Sequence, residues 1–346
     1  MYHLSDYGVH TGGKSGYAGI DWQRHDAGGG VYRHCHFIGA IPANLKKAVA
    51  VGIGLFIALI GFANAGIVVS QFPTGTVLAL GDLSSGSPLL AFLGLIIIIV
   101  LYSLKIPGSI LIGILVTTVI GIPMGVTALP ANWAPFSMPD APLLFKFDFS
   151  TILSFKFFVV FFTFLFVDIF DTVGTLVGVT TQAGLIGKDG KIPQVKQAFI
   201  SDAVGTIAGA ALGTSTVTSY VESAAGVAAG GRTGLTALTT GVLFLLALFL
   251  SPLFLLIPSA ATAPALIMVG FLMMKPVTSI NFDDPTEGIP VFLTIAMMPF
   301  AYSIAEGIVY GVLSYVILKA ATGKFKDIPV VTWVLFAIFV LRFFLK

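Results

Sequence analysis

Five carboxylic acids lie within or at the edges of long apolar segments, and their chemistry most needs an explanation. They are Asp168, Asp171, Asp202, Glu222 and Glu306. An ionised acid at the centre of a bilayer costs about 2.5–3.5 kcal/mol on insertion scales, so it faces a cavity, pairs with another group or stays protonated. Such acids can bind a polar solute or carry a proton. The alternative is a structural role, as a helix cap or a partner of neighbouring backbone, which we favour for Asp202 and Glu306.

Asp168 and Asp171 stand three residues apart in the run 167–175, so a helix places them on one face. Two neighbouring carboxylates cannot both ionise cheaply, and at least one of them is expected to hold a proton. A carboxyl group in that state is suited to taking up and releasing a proton. We therefore identify Asp168, Asp171 and Glu222 as candidates for proton coupling.

The segment from Thr214 to Tyr220 is rich in hydroxyl and β-branched side chains, which favours extended chain over a spanning helix. Glu222 and the residues after it predict the start of a short helix. Extended backbone persists at membrane depth where it is buried in protein or lines a cavity. The N-terminus of a half-helix offers free N–H groups and a positive dipole end. A planar ligand with carbonyls or ring nitrogens would bond there, and Glu222 would accept hydrogen bonds from its N–H groups.

A short pattern, D-x-V-G-T-x-x-G, occurs twice, at 171–178 and at 202–209. Each copy carries two glycines four residues apart, Gly174 with Gly178 and Gly205 with Gly209. Small residues at this spacing let two membrane helices approach closely. We interpret these glycines as packing residues.

Composition sets the class of protein in which these residues act. Of the 346 residues, 56% are hydrophobic and 10% are charged, whereas soluble domains carry about 25% charged residues. The long apolar runs fit helices rather than barrel strands, so we predict an all-α polytopic membrane protein. The net charge of +2 does not indicate a nucleic-acid partner. The single cysteine excludes an internal disulfide, and no histidine follows residue 36, so no metal, cofactor or enzymatic site is expected.

Eleven apolar segments are candidates to span or enter the membrane. The first ends near Ala63, and the others cover roughly 89–104, 106–127, 152–179, 197–212, 216–230, 234–257, 263–276, 288–302, 304–320 and 330–345. Segments 216–230 and 288–302 are expected to be broken half-helices, the second because it contains Pro290 and Pro299. The positive residues fall on one side if the segments alternate, and that side is assigned to the cytoplasm. They include Lys46, Lys47, Lys105, Lys188, Lys191, Lys196, Arg232, Lys275, Lys319, Lys324 and Lys326.

Residues 1–36 differ in character from the rest, since they hold all five histidines and the cysteine. The run Gly8–Ser15 matches a phosphate-loop pattern, but it lacks the preceding strand and following helix that such a loop requires. The cluster His34–Cys35–His36 is too compact to close a metal site alone. We expect 1–36 to be an atypical segment, either disordered or foreign to the rest of the chain.

Several long stretches resemble the AzgA-like purine permeases of the nucleobase:cation symporter-2 (xanthine/uracil permease) superfamily. They are Val167–Gly178 and Thr214–Gly234, with support from Ala40–Lys46, Gly52–Ala58 and Met298–Gly307. The resemblance covers about residues 38–346. It implies proton-coupled uptake of adenine, guanine or hypoxanthine across the cell membrane.

The resemblance also implies a fold and a site. The fold is an inverted-repeat transporter with fourteen helices, divided into core and gate domains with broken helices. Asp168, Asp171 and Thr172 would then lie on a core helix that faces the substrate. Glu222 and Ser223 would lie at the broken helix, with Glu222 bonded to the purine ring.

Family members usually carry about four more helices before the equivalent of Phe37, so the first repeat is expected to be incomplete. Residues 37–127 would be its remaining helices, 128–151 an external loop, and 152–346 the second repeat with the site. The resemblance favours a purine–proton symporter. The alternative is a truncated, non-transporting remnant of one; an anion carrier is disfavoured because the acids would repel its substrate. The expected partners are a purine, a proton and the lipid bilayer, with a homodimer left open.

Overall fold

The computed structural model describes residues 42–71, 75–128, 135–139, 141–147, 154–185, 194–215, 217–220, 222–231 and 233–345. Within this part of the chain the helices are α1 (Ala43–Asn64), α2 (Gly86–Ser103), α3 (Ser109–Gly121), α4 (Phe155–Ala183), α5 (Val195–Leu212), α6 (Ser223–Ala228), α7 (Gly234–Phe249), α8 (Ser251–Phe254), α9 (Ser259–Met273), α10 (Pro285–Phe300), α11 (Ile304–Ala321) and α12 (Val330–Leu345). Short 3-10 helices cover Lys275–Ser279 and Phe325–Asp327. The predictions for 1–36, including Gly8–Ser15 and His34–Cys35–His36, lie outside the described residues.

The described part of the chain is mostly helical, as predicted, and the one sheet within it is a small antiparallel hairpin. Strands β1 (Val68–Val69) and β2 (Ala79–Leu80) pair between α1 and α2, with Val68 opposite Leu80. Four stretches of the described chain are long and apolar enough to cross a membrane. They are Asn44–Asn64, Gly86–Ser103, Ser259–Ser279 and Ile304–Ala321. The chain is therefore a multi-pass membrane protein, in agreement with its composition.

Helix α1 lies at the centre of the packing, with α9, α10 and α4 against it. Its contact with α9 is close because glycines face each other there. A Cβ atom added at Gly54 would lie 2.7 Å from the carbonyl oxygen of Gly270 and 2.9 Å from the Cβ atom of Met273. Lipid tails are as apolar as these side chains, so close van der Waals contact is what holds such helices together.

The expectation that residues 288–302 form a broken half-helix is wrong, because α10 continues from Pro285 to Phe300 through both internal prolines. Each proline removes one backbone donor and costs about 3 kcal/mol or more in a helix interior. The carbonyls of residues 286 and 295 lose those donors, and the bond from the Thr294 hydroxyl to the Pro290 carbonyl at 2.8 Å does not replace them.

Packing outweighs the remaining cost of those prolines. Side chains of α10 fill the space above glycines of α11, with Met298 over Gly307 and Thr294 over Gly311. Both α10 side chains are fully buried. Helix α10 therefore continues through both prolines, because its packing contacts with α1 and α11 stabilise it by more than the prolines cost.

The other expected interruption is confirmed. Helix α5 ends at Gly213, whose φ of +81° is a left-handed conformation that suits glycine. The described residues 214–215 and 217–220 are not helical, and the six-residue helix α6 follows. We call the described residues 214–215 and 217–220 the extended segment.

Candidate functional site

Helix α4 carries three of the predicted site residues, and local sequence fixes both of its ends. Ser154 precedes it, and its side chain accepts a hydrogen bond from the Phe157 N–H at 3.1 Å. Gly184 ends it with a φ of +67°. One glycine-bearing face of α4 packs on α1 and α11, where Gly174 lies against Ile53 and Ile304. The helix-packing role predicted for Gly174 is therefore confirmed.

Opposite that face, Thr172 joins three parts of the chain. It is fully buried, and its hydroxyl donates to Oδ2 of Asp202 on α5 at 2.9 Å. The same Thr172 oxygen lies 3.0 Å from the hydroxyl oxygen of Thr218 in the extended segment. Because the Thr172 proton is directed to Asp202, the Thr218 hydroxyl must be the donor of that second bond.

The carboxylate of Asp202 uses its other oxygen as well. Oδ1 accepts a hydrogen bond from the backbone N–H of Ser219 at 3.1 Å. The side chain of Asp202 thus bridges α4, α5 and the extended segment. We call Thr172, Asp202, Thr218 and Ser219 the Asp202 network. Its bonds satisfy backbone and hydroxyl groups that would otherwise be unpaired at membrane depth.

Two further features fix the extended segment on α5. The Thr206 hydroxyl donates to the Val217 carbonyl at 2.9 Å. Gly205 and Gly209 provide the space, because a Cβ atom added at Gly209 would lie 2.8 Å from a Val217 methyl. The prediction that this second glycine pair receives another helix is wrong, since its partner is extended chain. Glycines let an extended chain approach α5 as closely as they let another helix approach it.

A cleft of ≈330 Å³ opens beside the Asp202 network. Its lining residues are Ala198, Ser201, Asp202, Gly205, Val217, Thr218 and Ser219. Ligand pockets in proteins span about 300–1,000 Å³, so this cleft suits a small ligand. Its walls combine a carboxylate, three hydroxyl side chains and backbone, which are groups that recognise a polar solute by hydrogen bonds. Among the described residues, no cluster of three or more His, Cys, Asp or Glu side chains could hold a metal ion.

None of the predicted site residues is among the residues that line this cleft, although Thr172 bonds two that do, Asp202 and Thr218. Asp168 is half-buried on α4, one turn before Thr172. Asp171 lies on the same helix, but its side chain is outside the described part of the structure. Glu222 and Ser223 are exposed at the start of α6, three and four residues beyond Ser219, and Glu222 makes no side-chain cap of that helix. Thr172 contacts protein groups on the side of α4 that faces the cleft.

Sequence reasoning did not include Asp202 and Thr218 among the site residues. It favoured a structural role for Asp202, and the bond from the Ser219 N–H agrees with that expectation. The position of Asp202 at the rim of the cleft was not foreseen. One signal was present: Asp202 begins the second copy of the repeated pattern, as Asp171 begins the first.

Comparison with known proteins adds to this geometry. A family model described as "Permease family", that of the xanthine/uracil permeases, matches residues 36–310. A putative permease of Methanocaldococcus jannaschii is 47% identical over 305 residues, which are 88% of this chain and 69% of that protein. An adenine permease of Escherichia coli K12 is 43% identical over 89% of this chain and 69% of its own length. A guanine/hypoxanthine permease of Bacillus subtilis is 44% identical over 89% and 70%.

Proposed function

This chain belongs to the xanthine/uracil permease family, and from that membership we propose that it imports purine nucleobases across the cell membrane as a proton symporter. The relatives named for adenine and for guanine/hypoxanthine, each more than 40% identical, support these bases as candidate substrates. Permeases move solutes without chemical change, so the chain is a transporter and not an enzyme.

The observation that carries this proposal is the extended segment held by Asp202. Irregular backbone inside a membrane protein persists where it is buried in protein or lines a cavity. Here it does line a cleft, and the Asp202 carboxylate fixes it through the Ser219 N–H. A preorganised polar wall of this kind binds a planar heterocycle without first having to order itself.

The roles of the site residues follow from their positions. We propose that Glu222 accepts hydrogen bonds from ring N–H groups of the purine, and that Ser223 bonds the same ring beside it. Both side chains are exposed at the N-terminus of α6, directly after the extended segment. Thr172 contributes by holding Asp202 and Thr218 in place. Asp168 and Asp171 lie on α4, the helix that also carries Thr172.

Coupling requires a group that binds a proton in one state and releases it in another. We propose that Asp168, Asp171 and Glu222 share this task, since each is an acid on an element beside the cleft. Protonation of one of them would favour the loaded state, and movement of a core domain against a gate domain would alternate access. In this proposal residues 37–127 belong to the first of two inverted repeats, 128–151 form an external loop, and 152–346 form the second repeat.

Equilibrium binding of tritiated adenine, guanine and hypoxanthine to the purified full chain in detergent tests the site. The unsubstituted chain should bind at least one base, and Glu222→Ala should weaken binding by roughly tenfold or more, as expected when a charged hydrogen-bond partner is lost. Asp283→Ala removes an exposed acid far along the chain and is the control. Equal binding by Glu222→Ala would refute the site. Failure of the unsubstituted chain to bind any purine would favour the non-transporting alternative.

A further inference from the structure

A second set of charged groups lies away from the Asp202 network, where the ends of several helices meet. Its centre is Lys319, whose Nζ atom lies 3.2 Å from Oε1 of Glu287 and 3.9 Å from Oδ2 of Asp327. The other Glu287 oxygen, Oε2, accepts a hydrogen bond from Nδ2 of Asn44 at 2.6 Å. We call Asn44, Glu287, Lys319 and Asp327 the Lys319 cluster.

The ammonium group of Lys319 is removed from solvent. Its side chain is 5% exposed, and that of Glu287 is 27% exposed. The Nζ atom also lies 5.6 Å from the centre of the Tyr315 ring, and the Tyr315 hydroxyl donates to the Asp327 carbonyl at 3.3 Å. A lysine is almost never this buried without a counter-charge, because desolvation of an unpaired ammonium is very costly. Glu287, with a side chain 27% exposed, and the more distant Asp327, 57% exposed, supply this counter-charge.

The cluster connects elements that are far apart in sequence. Asn44 is in the first turn of α1, Glu287 is in the first turn of α10, Lys319 is in the last turn of α11, and Asp327 ends the 3-10 helix that follows. An acid in the first turn and a base in the last turn each complement the helix dipole. The Nζ atom of Lys47 adds a further link at 2.7 Å to the Ser279 carbonyl, beyond α9.

We propose that the Lys319 cluster is an electrostatic clamp that locks this end of α1, α10 and α11 into one rigid unit. Helix α4, which carries Thr172 of the Asp202 network, packs against α1 and α11. The clamp therefore fixes the surface against which the site-bearing helix lies. The proposal concerns the helices themselves and does not depend on which solute is transported.

The chain contains a matched control pair beside the clamp. Nζ of Lys324 lies 3.0 Å from Oδ2 of Asp284, but these side chains are 43% and 38% exposed. The Thr286 hydroxyl and then Lys324 hold the pKa of Asp284 at about 2, so this pair is fully charged at neutral pH. Stabilisation by Asp284 is lost when the pH falls from 3.8 through about 2. The two pairs thus differ in burial, since the side chain of Lys319 is 5% exposed and that of Lys324 is 43% exposed.

A double-mutant cycle in the full-length chain tests the clamp, with the thermal unfolding midpoint in detergent at pH 7 as readout. Lys319→Met leaves Glu287 and Asp327 without their cation, and Glu287→Gln leaves Lys319 with the distant Asp327. Each single change should lower the midpoint by about 5 °C or more, because breaking a buried pair is strongly destabilising. The double variant should lose clearly less than the sum of the two. Lys324→Met and Asp284→Asn should each shift the midpoint by about 1 °C or less.

Amide hydrogen exchange locates the effect. Lys319→Met should speed amide exchange by about tenfold or more in the first turns of α1 and α10 and in the last turn of α11. In this variant these helix ends can open locally without first breaking the ion pairs of the Lys319 cluster. Exchange in α7 should not change. Unaltered midpoints and exchange in Lys319→Met and Glu287→Gln, or strictly additive losses in the double variant, would overturn the clamp.

Discussion

At the scale of single residues, two threonine hydroxyls within one turn of α4 differ in their hydrogen bonding. The Thr172 hydroxyl donates a hydrogen bond to Asp202, whereas the hydroxyl oxygen of Thr175 is buried and has no hydrogen-bond partner among the described residues. An unsatisfied buried hydroxyl costs about 1–3 kcal/mol, while a satisfied one contributes about 1 kcal/mol. The same side chain therefore stabilises the fold at one position and destabilises it at the other.

Replacement of each threonine by valine, which has nearly the same shape, should show this contrast. We expect Thr175→Val to raise the free energy of unfolding by about 1–2 kcal/mol, because the orphaned polar atom disappears. Thr172→Val should lower it by a similar amount, because Asp202 loses its donor. Denaturation in detergent measures both variants. A loss of stability in Thr175→Val would show that its hydroxyl has an unseen partner.

Asp202 is the residue on which the extended segment depends most. Asp202→Ala removes both acceptors at once, so the Ser219 N–H loses its partner and the Thr172 hydroxyl keeps only its bond with Thr218. We expect purine binding to weaken about tenfold or more, with a loss of stability of about 1–3 kcal/mol, chiefly for the unsatisfied N–H. Asp202→Asn keeps one acceptor oxygen, so its purine binding and its stability should both lie between those of the unsubstituted chain and those of Asp202→Ala. If Asp202→Ala binds purines as tightly as the unsubstituted chain, the cleft beside Asp202 is not the substrate site.

The sequence predicted the kinds of residues at the site better than their contacts. Solvation cost alone draws attention to Asp168, Asp202 and Glu222, but it favoured a structural role for Asp202, and the site roles of Asp168 and Glu222 stay predictions. The bond between Thr172 and Asp202 joins residues on different helices, and hydropathy does not specify which faces of two membrane helices meet. The structure supplied that contact, and with it the role of Thr172 as a positioning group.

At the scale of elements, hydropathy located the helices closely, but it misjudged where they break. Proline and glycine predicted interruptions at 216–230 and at 288–302, and only the first occurs. In the first, consecutive hydroxyl and β-branched residues favour extended chain over helix. In the second, the local proline penalty is outweighed by packing of Thr294 and Met298 on α11, which no local pattern reveals.

Close glycine contacts suggest a paired test of helix packing. Gly54→Ala in α1 places a methyl group 2.7 Å from the Gly270 carbonyl oxygen, which is backbone and cannot move aside cheaply. Overpacking of this kind costs about 1–3 kcal/mol, so the thermal midpoint should fall. Gly241→Ala in α7 meets nothing within 4 Å and should be neutral or stabilise by about 0.5–1 kcal/mol. Equal midpoints for the two variants would contradict the close approach of α1 and α9.

At the scale of the whole molecule, the structure separates two tasks. The Asp202 network holds an irregular segment open beside a cleft, and the Lys319 cluster holds helix ends together elsewhere. The first leaves polar groups exposed at a cleft, and the second removes the Lys319 ammonium group from solvent. The exposure of Glu222 and the burial of Lys319 follow this division.

Uptake of labelled hypoxanthine and adenine into proteoliposomes containing the full chain tests the central claim most directly. An inward proton gradient should accelerate uptake and let the base accumulate above its external concentration, and a protonophore should abolish that accumulation. A sodium gradient at equal pH should have no effect, and Glu222→Ala should reduce the rate by at least about tenfold if about 1.4 kcal/mol or more of binding is lost. Purine accumulation driven by sodium alone, or no uptake under a proton gradient, would contradict proton–purine symport by this chain.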